Sequence, residues 1–302
     1  MLVALLVPIV LATLTFTAVL LKAVIAKRAT PTLETIGLGA VVSFFDTLGI
    51  GNFAPSTAWL KFRRLVPDRL IPPTILVGLT ITAVVESIIF LLRLGVKVDP
   101  VLLAGCIIAC TVGGMIGAPL VHRTRVWIVQ FVVAIGLTLA AIAYGMTNLH
   151  MFPGGGTASS LPLALTVIAI AANFIIGILL NYGVGNYAPT LVMLSLMGMD
   201  PRLCFPVMAG AAALMGSTAG IRHLNTGHID LRVVLGLTLG GIPAVFVAAY
   251  IVVTMPLEIL RWMVLVVVLY AAAIMFQSAI RGRREHRAED ATAHVTGTVP
   301  NA

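Results

Sequence analysis

The hydrophobic pattern of this chain is one of long apolar runs. Residues 2–21, 73–92, 100–121, 126–144, 161–182, 231–253 and 257–280 each approach or exceed the roughly 20 apolar residues that carry a helix across a bilayer. Polar residues gather between the runs and leave no stretch for a soluble domain. The pattern predicts an all-α, polytopic membrane protein.

Two phrases break it. LGIGNFAPST at 48–57 recurs as YGVGNYAPT at 182–190, with Gly49, Gly51, Asn52, Ala54 and Pro55 matching Gly183, Gly185, Asn186, Ala188 and Pro189. The echo continues: Arg69, Leu70 and Pro73 match Arg202, Leu203 and Pro206; Asp99 and Gly105 match Asp230 and Gly236; and Trp127 approximately matches Trp262. An internal repeat of this kind divides the chain into an N-terminal helix and loop (1–30), a first repeat (31–149), an external connector (150–160), a second repeat (161–281) and a polar tail (282–302) read as disordered. Each repeat holds a helix running into the phrase, a short helix leaving it (55–62 and 189–197), and three spanning helices. Five membrane segments per repeat is an odd number, so the two copies are expected to be inverted, with broken or re-entrant helices at the Gly-x-Gly-Asn turns.

Composition and charge agree. Hydrophobic residues make up 60% and charged residues 10% of the chain, against roughly a quarter charged in soluble domains; the mean hydropathy is +1.09. The net charge of +8 reflects loop bias and not a nucleic-acid partner. With the N-terminus outside and the C-terminus inside, 15 of the 19 Lys and Arg fall on the inner side, and Arg93, Lys97, Arg202 and Arg261 remain outside, a strong positive-inside pattern. The first apolar run lacks a basic leading region, and Lys22, Lys27 and Arg28 follow it, so it reads as a retained helix and not a cleaved signal. Cys106, Cys110 and Cys204 read as small core residues.

The repeated phrase carries the candidate chemistry. Neither short helix covers a hydrocarbon core of roughly 30 Å, which puts each turn within the depth of the membrane, where irregular backbone survives only in protein or against a polar cavity. Pro55 and Pro189 suit a first helical turn, and Asn52 and Asn186 are candidate N-caps. Each turn would then aim free backbone N–H groups and a positive dipole end at mid-membrane, an anion site by geometry. The candidate substrate-binding residues are Gly49, Gly51, Asn52, Phe53 and Ser56 in the first copy, and Asn181, Gly183, Gly185, Asn186, Tyr187 and Thr190 in the second. Asp46, one turn before Gly49, and Glu86, in mid-helix, each cost roughly 2.5 to 3.5 kcal/mol if charged and unpartnered. They are candidates for proton coupling, with hydrogen bonding to the neighbouring turn an equal reading for Asp46.

Other polar residues have plainer readings. Asn173 and Tyr182 either line the pathway or join helices. His122 with Arg123 and Arg125, and Arg222 with His223 and His228, mark inner boundaries. Trp127 and Trp262 read as interfacial anchors, and 113–119 (GGMIGAP) as a packing face.

From GVGNYAPTLVMLSLMGMDPRLCFPVMAG through Gly227-His228-Ile229-Asp230 and the lead from Pro256 to Trp262, the sequence resembles the TauE/SafE family of sulfite and organosulfonate exporters, and the first copy follows the same plan more weakly. The family turn is typically Gly-x-Gly-Gly-Gly, where this chain has Gly51-Asn52-Phe53 and Gly185-Asn186-Tyr187, and Ala209-Gly210 stands where relatives often carry Thr-Ser. The resemblance implies a proton-coupled carrier of sulfite, sulfonate or carboxylate anions in the bacterial cytoplasmic membrane, working by alternating access. The expected partners are the anion, protons and lipid, a homodimer being one assembly this would allow; no cofactor and no metal is expected. A proton-linked cation or metal-ion carrier using Asp46 and Glu86 is the alternative. An enzyme is disfavoured, since the chain has no HExxH, no Ser-x-Gly nucleophile turn and no phosphate loop.

Overall fold

The structure is a computed structural model that describes residues 2–67, 70–117, 126–149, 151, 156–180, 182 and 184–296. Among these, eleven α-helices follow one another: α1 (Leu2–Lys27), α2 (Leu33–Thr47), α3 (Phe53–Phe62), α4 (Ile71–Arg93), α5 (Pro100–Gly117), α6 (Val126–Asn148), α7 (Leu163–Leu180), α8 (Tyr187–Leu196), α9 (Pro201–Thr226), α10 (Leu231–Thr254) and α11 (Leu257–Thr296). Eight of them, all but α2, α3 and α8, are long and apolar enough to cross a membrane. The protein is an all-helical, multi-pass membrane protein. α11 continues to Thr296, through residues whose polarity alone suggests a disordered tail.

Polar side chains cap α2, α5, α9 and α10. Thr32 and Thr35 exchange hydrogen bonds in a capping box at the start of α2. The matched aspartates cap equivalent helices: Asp99 accepts from Leu102 N at α5, and Asp230 from Arg232 N and Val233 N at α10.

α2 and α3 form a hairpin with the first glycine phrase at its tip. Glu34, in the first turn of α2, accepts from Trp59 Nε1 at 3.1 Å and Arg63 Nε at 2.7 Å, so the far end of α3 returns beside the start of α2. Gly49 and Gly51 make the reversal with φ of +96° and +89°, a region that a side chain disfavours. The second phrase lies between α7 and α8, and there too the base closes: Ala158 N donates to Gly198 O, and Asp200 N to Ala158 O.

The hairpins pack crosswise. α2 lies along α10 in the same direction, Gly236 against Thr35 and Gly240 against Ile36. α7 lies along α5 in the same way, Gly105 against Ile170 and Gly177 against Cys110. Glycine at these seams lets backbones touch, the close approach that drives helix association in lipid. Gly113 and Gly114 belong to it, so the GGMIGAP run is a packing face as far as Gly117, beyond which it lies outside the described residues. α4 runs opposite to α9, with Thr80 at Gly216 and the Phe90 ring tilted against that of Phe205, their centres 5.1 Å apart. α6 runs opposite to α11, with Phe131 5.7 Å from Phe276 and Asn148 Nδ2 on Arg261 O. Trp127 sits under Arg283, 5.8 Å from its ring centre, while Trp262 is half exposed.

Candidate functional site

Both glycine phrases line one cavity of about 210 Å³. The first contributes Asp46, Gly49, Ile50, Gly51, Asn52, Phe53 and Ala54; the second contributes Val184, Gly185, Asn186, Tyr187, Ala188 and Pro189. Between them stand Leu76, Thr80 and Ala83 of α4, Met215 and Gly216 of α9, and Tyr270, Ile274 and Met275 of α11. These residues sit near the middle of helices long enough to span the bilayer. The cavity therefore lies at mid-depth of the bundle, polar where the two turns meet and apolar elsewhere.

The helix starts supply donors. α3 begins at Phe53 and α8 at Tyr187, so each proline is the third helical residue and not the first. It still falls among the four positions whose N–H has no partner within the helix. In each helix the first intrahelical bond runs from the residue after the proline, Ser56 N to Asn52 O and Thr190 N to Asn186 O. The N–H groups of Phe53, Ala54, Tyr187 and Ala188 thus have no acceptor within their own helices, and all four residues line the cavity.

The asparagines do not cap these helices as their sequence position suggests. Asn52 and Asn186 have helical backbone angles (φ −104° and −77°) and make no side-chain cap bond; a capping side chain needs the extended conformation to reach back to the second or third N–H. Each amide turns elsewhere. Asn52 Nδ2 donates to Asp46 Oδ2 at 2.6 Å, and Asn186 Nδ2 to Met208 O at 3.0 Å. The first bond ties the tip of the hairpin to its incoming arm, and the second ties the other tip to α9.

Asp46 lines the cavity, whereas Glu86 lies behind it at 1% exposure. Tyr187 Oη donates to Glu86 Oε1 at 2.7 Å and Thr47 Oγ1 makes a longer contact of 3.4 Å to Oε2. Neither carboxylate meets a basic residue in these bonds. Among the described residues no group of three His, Cys, Asp or Glu comes together as a metal cluster.

The remaining candidates scatter. Ser56 and Thr190 are fully buried off the cavity lining; Thr190 donates to Asn173 Oδ1 at 3.1 Å, and Asn173 in turn to Ala169 O, which makes Asn173 a join between helices. Tyr182 is buried, and its carbonyl accepts from Gln130. Asn181 and Gly183, like His122, Arg123 and Arg125, lie outside the described residues. Cys106, Cys110 and Cys204 are buried free thiols. Sequence reasoning missed the lining from α4, α9 and α11. Its signal is faint, a threonine and a glycine (Thr80, Gly216) facing each other in otherwise apolar spans.

Comparison with known proteins adds one match. The model of the family described as Sulfite exporter TauE/SafE matches residues 154–300. No curated protein and no solved structure matches the chain. The family is one of membrane transporters of sulfite-type anions, in agreement with eight helices fit to span a bilayer. From the connector through the second glycine phrase to the tail, this chain matches the sulfite exporter TauE/SafE family, the family that its sequence resembles.

Proposed function

We propose that the protein is a secondary transporter that moves small organic or sulfur-containing anions of the sulfite, sulfonate or carboxylate type across the bacterial cytoplasmic membrane, coupled to protons. The observation that carries this reading is the mid-depth cavity between two helix starts. Backbone N–H groups and the positive ends of α3 and α8 converge there from two turns, which is favourable for an anion and unfavourable for a cation. The apolar remainder of the lining suits a hydrocarbon body behind the charged group. Binding falls to the N–H groups of Phe53, Ala54, Tyr187 and Ala188 with Gly49, Gly51 and Gly185 allowing close approach; Asn52 and Asn186 hold the turns.

Inverted repeats are supported by the crosswise packing. Related helices oppose each other in direction, α4 against α9 and α6 against α11, as a two-fold axis in the membrane plane requires. Re-entry of the α2–α3 arm is supported by Glu34 on Arg63, and of the α7–α8 arm by Ala158 on Gly198. On this reading the N-terminus faces outside and the C-terminus the cytoplasm, as the distribution of Lys and Arg favours. The two units rock about the cavity to expose it to either side. Asp46 faces the anion with like charge, so anion entry and protonation of Asp46 favour each other, which is the basis for coupling.

The test is flux into proteoliposomes of labelled sulfite, methanesulfonate and acetate, with and without a pH gradient. Wild type carries at least one of these anions faster with the gradient, and Asn52→Leu with Asn186→Leu carries it at least about tenfold more slowly, the loss expected when both turns give up a hydrogen bond. No anion flux in wild type, or full flux in the double variant, overturns the reading.

A further inference from the structure

One of the differences between the two phrases, Phe53 against Tyr187, adds a hydroxyl that the anion site does not use. Where the first has Phe53, 42% exposed, the second has Tyr187, 6% exposed, and the added hydroxyl reaches out of the second repeat to Glu86 on α4 of the first. The other oxygen of Glu86 faces Thr47, the residue that ends α2 just before the first turn. One carboxylate therefore touches the incoming arm of the first hairpin and the tip of the second.

We propose that Tyr187 is a positioning residue, and that its bond to Glu86 is a latch through which proton uptake at Glu86 frees the second turn. This deepens the transport reading and rests on it. Ionised Glu86 accepts the Tyr187 hydroxyl in a charge-assisted bond, which pins the start of α8 to α4. Charge-assisted bonds are roughly twice as strong as neutral ones. A proton taken up on Oε2 turns that oxygen into a donor toward Thr47 Oγ1, whose own hydrogen remains on Ser43 O at 2.9 Å. Oε1 then meets Tyr187 as a neutral acceptor, and the tip of the second hairpin is held less tightly. The same proton removes the negative charge that stands behind the anion site.

The charge on Glu86 answers to few neighbours. Asp46 shares its surroundings from α2, and Tyr187 faces it from α8. The basic residues of the other elements packed on α4 sit toward helix ends: Lys22 and Lys27 of α1, Lys61 of α3, Lys97 of the short turn after α4, Arg202, Arg222 and His223 of α9, and Arg232 of α10. The corresponding stretch of the second repeat, ALMGSTAG at 213–220, holds no carboxylate, so the latch is one-sided.

The test reads the tip of the second hairpin directly. Ala188, beside Tyr187 and on the cavity lining, is replaced by cysteine in the full chain, where the three native thiols are buried. Labelling by a water-soluble maleimide is followed as the fraction of protein modified after a fixed time, corrected for the thiolate content of a free thiol at each pH. The corrected rate for Ala188→Cys rises about fivefold from about pH 8 to about pH 5, the change expected when a charge-assisted bond becomes neutral. Adding Tyr187→Phe or Glu86→Gln gives the fast rate at both pH values, and both together give no further change. The latch is overturned if labelling is independent of pH in Ala188→Cys alone, or if Tyr187→Phe leaves the dependence intact. Monodisperse elution of each variant at both pH values separates a freed turn from a misfolded chain. Because labelling needs no substrate, a flat profile with active anion flux sinks the latch alone, and a pH-dependent profile without flux sinks the transport reading alone.

Discussion

At the scale of single residues, some buried polar groups of this protein work in pairs, and removing one member of a pair is expected to cost more than removing both. Asn52 donates to Asp46, a residue only 9% exposed. Asn52→Leu leaves that carboxylate without its donor and is expected to lower stability by about 1–3 kcal/mol. Adding Asp46→Leu, which removes the orphaned group, is expected to recover most of the loss; thermal unfolding of purified protein in detergent compares the two, and a double variant less stable than the single one contradicts the pairing. The sequence announces the residues in such pairs but not who meets whom. Asp46 and Glu86 stand out because a carboxylate in an apolar run needs a partner. That Asn52 serves Asp46 is a fact of the turn's helical angles, which a local pattern does not reveal. The link from Tyr187 to Glu86 spans 101 positions; its trace in the sequence is one hydroxyl, that of Tyr187 where the first phrase has Phe53.

At the scale of elements, glycine at the seams sets how closely the hairpins dock. A Cβ on Gly240 would overlap the carbonyl of Ile36, whereas one on Gly37 meets nothing within 4 Å. Gly240→Ala is therefore expected to cost about 1–3 kcal/mol by forcing α2 and α10 apart, and Gly37→Ala to stay within about 0.5 kcal/mol of wild type. Denaturation by increasing SDS in mixed micelles measures both, and equal midpoints would refute the seam. Seven of the eight long apolar helices were legible from apolar run length. The eighth, α9, whose many alanines and glycines dilute its hydropathy, was legible only through the repeat, and its role as the partner of α4 emerges only from packing. The short helices were legible in place but began two residues earlier than their prolines suggest, because proline is tolerated anywhere in a first turn.

At the scale of the whole molecule, α2 of the first hairpin docks on α10 and α7 of the second on α5, and on the inverted reading proposed above the two bases mark opposite ends of the bundle. Arg64, just past the base of the first hairpin, and Ala158, at the base of the second, are both exposed. In intact cells, Arg64→Cys is expected to be protected from a membrane-impermeant maleimide and Ala158→Cys to react; like behaviour at the two sites argues against inversion. The crosswise docking also imposes an order of assembly. α2 is made early, but the seam it needs lies on α10, roughly 200 residues further along the chain. At a synthesis rate of about 5–20 residues per second, the first hairpin waits some 10–40 s in the membrane with its glycine-lined flank bare and its carboxylate at the tip. A nascent chain of this design depends on something to shelter that flank, and arrest of translation before α10 leaves a half-built protein that cannot close on itself.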